Sequence, residues 1–179
     1  MRDSRRVRLA LGVLAAVLAL LTIATFGARQ FFPDVLPSAW TAADRAEDRN
    51  RDVLTATRRT MTAFLDVDYR EIDDQIDTVL AQSTGTFKKQ YGDARVQYAA
   101  LTRKGEAVSK GTIREIGITR TGDDEALLSV AADSEVSNTA TAAAEKKGEK
   151  VDKIRVYFFQ VTMSRVGDDW LMSNLEVIG

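Results

Sequence analysis

Three kinds of hydrophobic pattern follow one another along the chain. From Leu9 to Ala28 the run LALGVLAAVLALLTIATFGA holds 20 residues without a charge, and a helix of that length covers about 30 Å at about 1.5 Å per residue. It reads as one transmembrane helix. From Val53 the apolar residues return with helical period: Val53, Ala56, Thr57, Thr60, Met61 and Phe64 mark one helix face. Ile72, Ile76, Val79 and Leu80 mark a second, and Phe87, Tyr91, Ala94, Tyr98 and Leu101 a third. Beyond Val108 the period shortens to two. Val108–Thr121, Ala126–Val136, Val151–Arg165 and Trp170–Ile178 are rich in β-branched and aromatic residues.

Punctuation separates these segments. Pro33 and Pro37, the chain's two prolines, lie in FFPDVLPSAW and set an extended or kinked break after the apolar run. Phe31, Phe32 and Trp40 fit aromatics at headgroup level or aromatics packed on the following domain. Ser38 suits a cap for a helix whose first half mixes charges of both signs, with Glu47 and Arg51 at i,i+4 spacing, as in a solvated stalk. Asp68 and Glu71 have capping-box spacing for the second helix. Thr121-Gly122-Asp123-Asp124 and Val166-Gly167-Asp168-Asp169 supply short turns, so four antiparallel strands are expected. The third has apolar residues on both faces and reads as central. Gly111 and Gly117 suggest bulges or bends in the first. Ser137–Lys150 reads as a long exposed hairpin loop with room for a helical turn.

The chain thus divides into a basic tail at 1–8, a membrane helix at 9–28, a break and stalk at 29–52, and a domain at 53–179. Three helices then four strands give an α+β class, a curved antiparallel sheet wrapped on its helices. Arg2, Arg5, Arg6 and Arg8 precede the apolar run, and only Arg29 stands near its far end. The positive-inside rule then puts the N-terminus in the cytoplasm and the domain outside. The run is longer than a signal-peptide core, and Phe26 sits awkwardly in the Ala24–Ala28 cleavage region, so an uncleaved anchor is favoured over a cleaved signal peptide. Gly12 with Ala16, and Ala15 with Ala19, form small-xxx-small pairs that suit close packing on a partner helix.

Composition narrows the chemistry. The 179 residues are 45% hydrophobic and 28% charged, with net charge -1, as in an ordinary globular chain. The first 29 residues hold five Arg and one Asp, which leaves 20 basic and 25 acidic residues beyond them. No basic cluster or aromatic-interleaved stripe suits nucleic acid. Histidine and cysteine are absent, which removes disulfides, thiolate and imidazole metal ligands, and His-dependent nucleophile systems. No cofactor motif is present. Asp66, Asp68, Tyr69, Tyr91, Tyr98 and Tyr157 are the candidates for acid–base work, although capping explains the aspartates and core packing the helix tyrosines. Phe87, Tyr91, Phe158 and Trp170 are candidate lining for a cavity between the curved sheet and its helices, where a small hydrophobic ligand such as a lipid could sit; their plainer role is to fill the core.

Six features in order resemble the actinobacterial Mce-associated membrane proteins. They are the basic tail with one membrane helix, the charged stalk, Asp68-Tyr69 after the first domain helix, Ser83-Thr84-Gly85-Thr86-Phe87 opening the last helix, Val108-Ser109-Lys110-Gly111 opening the sheet, and Asp169-Trp170-Leu171-Met172-Ser173 in the final strand. The resemblance covers nearly the whole chain. It implies an extracytoplasmic cone of the nuclear-transport-factor-2-like type, three helices on a four-stranded sheet, which VirB8-like secretion components share. It also implies an accessory role beside Mce transporters, which move lipids or steroids, with their permease or substrate-binding subunits as partners. It carries no catalytic residues.

Overall fold

The computed structural model describes residues 38–178. The proposed membrane span, with Gly12, Ala15, Ala16 and Ala19, lies outside the described residues, as do the 1–8 tail and the two prolines. Among the described residues no helix is long and apolar enough to cross a membrane. The chain divides into a unit of residues 1–47 and a unit of residues 48–179, and the sheet and its core belong to the second.

Helix α1 (Ser38–Leu65) runs unbroken through the expected stalk boundary at residue 52. Val53, Ala56, Thr57, Thr60, Met61 and Leu65 are buried, the one-sided stripe that the 3.6-residue period requires. Strand β1 (Val67–Asp68) is followed by α2 (Ile72–Ala81), α3 (Gly85–Gly105), β2 (Val108–Thr121) and β3 (Glu125–Ser137). Helix α4 (Thr139–Lys146), β4 (Ile154–Val166) and β5 (Asp169–Val177) complete the order. The sheet is an antiparallel meander, β1-β2-β3-β4-β5.

The class is α+β with a curled antiparallel sheet, as expected, but the sheet has five strands and not four. Val67–Asp68 pairs with Ser109 and Val108. Two residues carry no readable alternation, which is why the segment resembles a mere break. Because Asp68 is extended in this strand, it does not cap α2: the helix begins at Ile72 after Glu71, which makes no side-chain cap bond. The interhairpin segment also gains structure. The Asn138 side chain accepts from the N–H groups of Ala140 and Thr141 while Thr141 Oγ1 accepts from Asn138 N–H, a reciprocal capping box that holds α4.

Alternation divides the sheet into two faces. Ala126, Leu128, Val130, Ala132 and Ser134 of β3, Phe159, Val161 and Met163 of β4, and Trp170 and Met172 of β5 are buried under the helices. Each large apolar side chain so covered contributes about 1.5–3 kcal/mol. A smaller cluster, Ile72, Ile76 and Ala99, joins α2 to α3. It shifts the buried stripe of α3 by about a quarter turn from the expected one: Ala99 and Thr102 are buried, whereas Ala94 is exposed and Leu101 is 59% exposed. The salt bridges Arg95–Asp77 and Arg103–Asp73 span the same two helices.

The β2 irregularities fall between Ile113 and Glu115 and between Ile118 and Arg120, flanking Gly117. Gly111 has a different reason. A Cβ there would stand 2.4 Å from Leu65 Cβ, closer than carbon atoms pack, so the end of α1 crosses β2 only over a bare backbone. We expect Gly111→Ala to destabilise the fold by about 1–3 kcal/mol through overpacking. Trp170, 4% exposed, should cost about 3–5 kcal/mol on replacement by alanine. Urea denaturation of both variants checks these values, and a wild-type midpoint for Gly111→Ala would refute the crossing.

Candidate functional site

Three of the four proposed cavity residues come together on the helix-covered face, and they are packed there. Helix α3 starts at Gly85, whose positive φ of 54° suits glycine, and its first turn directs Phe87 inward. Phe87 stacks on Tyr91 at 5.3 Å between ring centroids, and Tyr91 meets Tyr98 at 5.9 Å. Phe64 of α1 touches Phe87 and Tyr91 at 6.0 Å each, and Phe159 of β4 at 6.3 Å. Trp170 and Phe87 belong to the same buried cluster as Met61, Leu128 and Met172. Phe87 and Trp170 are buried core residues, and Tyr91 packs partly buried against them.

Phe158 does not join them. It is 48% exposed and its neighbour Phe159 only 3%, so the two phenylalanines exchange the expected sides. The reason is the two-residue period: Phe159 shares a face with Val161 and Met163, whereas Phe158 shares one with Ile154 and Val156. There it helps line a surface groove of about 230 Å³ with Glu115, Gly117, Ala131 and Ile178. Apolar residues on both faces of β4 made the inward set ambiguous in the sequence.

The two aspartate candidates are held by structural bonds, and the tyrosines by ring contacts. Asp66, just past α1, accepts from Gly111 N–H at 2.8 Å and from the Lys110 ammonium. Asp68 accepts from the Arg70 backbone N–H at 2.9 Å and Nε at 2.8 Å. The Arg70 guanidinium first, and then the Arg70 N–H, hold the Asp68 carboxyl at about 2. Burial, and secondarily Tyr98, raise the Tyr91 phenol above its ordinary value. Burial also raises Tyr98, against a smaller opposing effect of its bond to Thr102. Both stay neutral phenols at physiological pH and are poor bases. Tyr157 stacks on Phe159 at 5.6 Å, and the Arg70 guanidinium lies 5.8 Å from the Tyr69 ring.

The hydroxyls of Ser83, Thr57, Ser109 and Ser134 are likewise engaged. Ser83 Oγ donates to Val79 O at 2.6 Å and Thr57 Oγ1 to Val53 O at 2.7 Å. Ser109 Oγ donates to Leu65 O at 2.9 Å and shares a hydrogen bond with Ser134. None of these hydroxyls has a base as its partner, which an activated nucleophile requires. Among the described residues no group of three or more Asp or Glu could hold a metal ion.

Comparison with known proteins gives the family and the fold. Residues 11–179 match the family described as "Uncharacterized protein Rv1363c/MT1408-like". The chain belongs to that family. One relative is the uncharacterized protein Rv1363c of Mycobacterium tuberculosis, 23% identical over 112 residues, which are 63% of this chain and 40% of the relative. The match thus spans less than half of that protein. A periplasmic fragment of TraM superposes with a TM-score of 0.55 at 11% identity, over 72% of this chain and 96% of the fragment. CagV of Helicobacter pylori, a VirB8 homologue of a type IV secretion system, superposes with a TM-score of 0.51 at 9% identity, over 69% and 93%. These likenesses establish the fold that the Rv1363c/MT1408-like chain shares with them.

The Asp68–Arg70 pair gives a pH test of the site's structural character. A carboxyl whose value is lowered on folding contributes stability above its unfolded value, near 4, and that stability is lost as pH falls through about 2. Asp68→Asn should therefore be less stable than wild type at pH 7, and the two urea midpoints should converge between about pH 4 and pH 2. A gap that is constant with pH would show that the carboxylate charge is not what the site uses.

Proposed function

We propose that this chain is a non-catalytic accessory subunit that associates with and stabilises an Mce-type lipid or steroid import complex in the cell envelope. The observation that carries the reading is the packed helix-covered face. Phe64, Phe87, Tyr91, Phe159 and Trp170 pack in or against one hydrophobic cluster, and Asp66, Asp68, Ser83 and Ser109 are used in structural bonds. Surface contact is then the simplest remaining activity. The resemblance to Mce-associated membrane proteins supplies the partner, and the nuclear-transport-factor-2-like name for the cone is part of the same reading.

In this proposal residues 9–28 form an uncleaved anchor, the N-terminus is cytoplasmic, and the domain is extracytoplasmic. Tethering supports a weak domain contact by raising effective concentration. A second reading, an adaptor for another envelope machine, is favoured by the fold shared with CagV, itself a VirB8 homologue. A small hydrophobic-ligand carrier would need a chamber that opens among Phe87, Tyr91 and Trp170.

Two measurements test the proposal. A reporter fused after Gly179 should be active only outside the cytoplasm, and intact mass of the membrane form should retain Met1; a soluble form starting near Ala28 would remove the anchor. Affinity purification in detergent with mass spectrometry should enrich Mce permease or substrate-binding subunits. Enrichment of secretion-system subunits would favour the second reading, and recovery of neither would overturn both.

A further inference from the structure

Phe158 lies in a row of side chains that crosses the open face of the sheet. Glu115 of β2 stands opposite Ala131 of β3, and Ala131 stands opposite Phe158 of β4. Ile178 extends the row, since its N–H donates to Phe158 O at 2.8 Å. In the adjoining row Gly117 faces Ser129. The groove of about 230 Å³ lies over these residues. Neighbouring strands are about 4.8 Å apart, so the β2 and β4 backbones flank Ala131 at a separation of roughly 9–10 Å. A long side chain on each side, with small residues between them, leaves a slot one side chain wide.

Two residues of the slot serve no joint of the fold. A glycine inside a strand weakens it and is used where a positive φ, a bulge or a close approach demands one. Gly117 has neither a positive φ nor any atom within 4 Å of where a Cβ would stand, and it pairs in register with Ser129 between the two shifts. Its bareness gives the groove its depth. Glu115 is the second. Arg114 pairs with Asp133 and Arg120 with Glu125, whereas no hydrogen bond or ion pair from a described residue reaches the Glu115 carboxylate. That charge stays uncompensated across Ala131 from a phenylalanine ring that is 48% exposed.

We propose that this groove is a socket for one arginine side chain of a partner protein, held between the Glu115 carboxylate and the Phe158 ring. Size and charge select that occupant. Pockets that take whole small molecules run from about 300 to 1,000 Å³, above the volume here, whereas a single protruding side chain suits a shallow slot. An unpaired carboxylate favours a cation, and an exposed ring accepts a cation on its face within about 6 Å of its centroid. A guanidinium meets both conditions: its edge donates two parallel N–H bonds to a carboxylate while its plane lies on an aromatic ring. Lysine, a strongly hydrated point charge, gains less from the ring. The arginine stem covers Ala131 and Ile178, which excludes water from the ion pair and strengthens it. Arginines seated in this way are among the residues that anchor protein interfaces. The socket deepens the accessory reading: it rests on the premise that the domain works by surface contact, and not on which complex it joins.

The probe is the tripeptide acetyl-Leu-Arg-Leu-amide, with its citrulline and lysine counterparts, titrated into the 179-residue chain in dodecyl maltoside and followed by amide NMR signals. The arginine peptide should shift the amides of Glu115, Gly117, Ala131 and Phe158. It should bind at least about tenfold more tightly than the citrulline form, which keeps the shape and lacks the charge. Glu115→Gln removes the carboxylate charge and Gly117→Val fills the groove, and each should weaken binding at least about tenfold while circular dichroism stays unchanged. Equal binding of the arginine peptide and either counterpart, shifts confined to other residues, or insensitivity to either variant would overturn the inference. So would an absence of binding by the wild-type chain, the outcome if another segment or a lipid already covers the groove. Because the titration needs no other protein, it separates the two readings. Peptide binding without enrichment of Mce subunits removes the partner proposed above and leaves the socket, and the reverse pair of results removes the socket alone.

Discussion

One-sided burial of the sheet governs the rest of this structure. Strands β2 to β5 curl with a single face under α1 and α3, and residues on that face are nearly water-free: Leu128, Val161, Met163 and Met172 each have 0% exposure. Burying one face of a pleated strand fixes its register, because a slip of one residue would turn every inward side chain out. The same condition leaves the opposite face to solvent, even where β4 places isoleucine, valine and phenylalanine there. Interior packing and surface stickiness are thus two consequences of one choice of face.

The end of α1 holds that choice in place. Leu65 O accepts from Ser109, Asp66 accepts from Gly111 N–H and the Lys110 ammonium, and Gly111 gives room for Leu65. Three kinds of interaction, a hydroxyl bond, a charge-assisted bond and a close backbone approach, meet within a few residues. Each alone is modest, about 0.5–3 kcal/mol. Together they fix the position of the helix on the sheet, and hence which side chains of β3 and β4 are covered. The sequence offers Asp66 as an acid–base candidate; its bonds to Gly111 N–H and the Lys110 ammonium give it a positional role in the corner.

Much of this was legible in the sequence where a pattern repeats often enough to have a phase. The α1 stripe from Val53, the α2 stripe from Ile72 and the strand at Val108–Thr121 emerge where the periodicity puts them. Trp170 is buried as its place after the Gly-Asp turn suggests. Legibility failed where the pattern is too short or has two phases. Strand β1 is two residues long, too brief to alternate. Strand β4 is apolar on both faces, so Phe158 and Phe159 could not be ranked without knowing which face the helices cover. In α3 the third neighbour, α2, displaced the buried stripe from Leu101 to Ala99 and Thr102, a tertiary effect that a single helix cannot encode.

The proposed function rests on resemblance, and the fold explains why. A site announces itself in sequence when chemistry demands unusual residues at fixed spacing, such as a metal set, a phosphate loop or a nucleophile with its base. Here the polar residues that attract notice are those a compact α+β fold uses for its own joints: Asp66 at a corner, Asp68 beside Arg70, and Ser109 with Ser134 between strands. In the proposed accessory role recognition falls to the surface, and surface recognition draws on ordinary residues whose meaning depends on placement. Phe158 illustrates this. Nothing in the sequence ranks it against Phe159, yet the folded register turns it to the open face, 48% exposed, beside Ile154 and Val156.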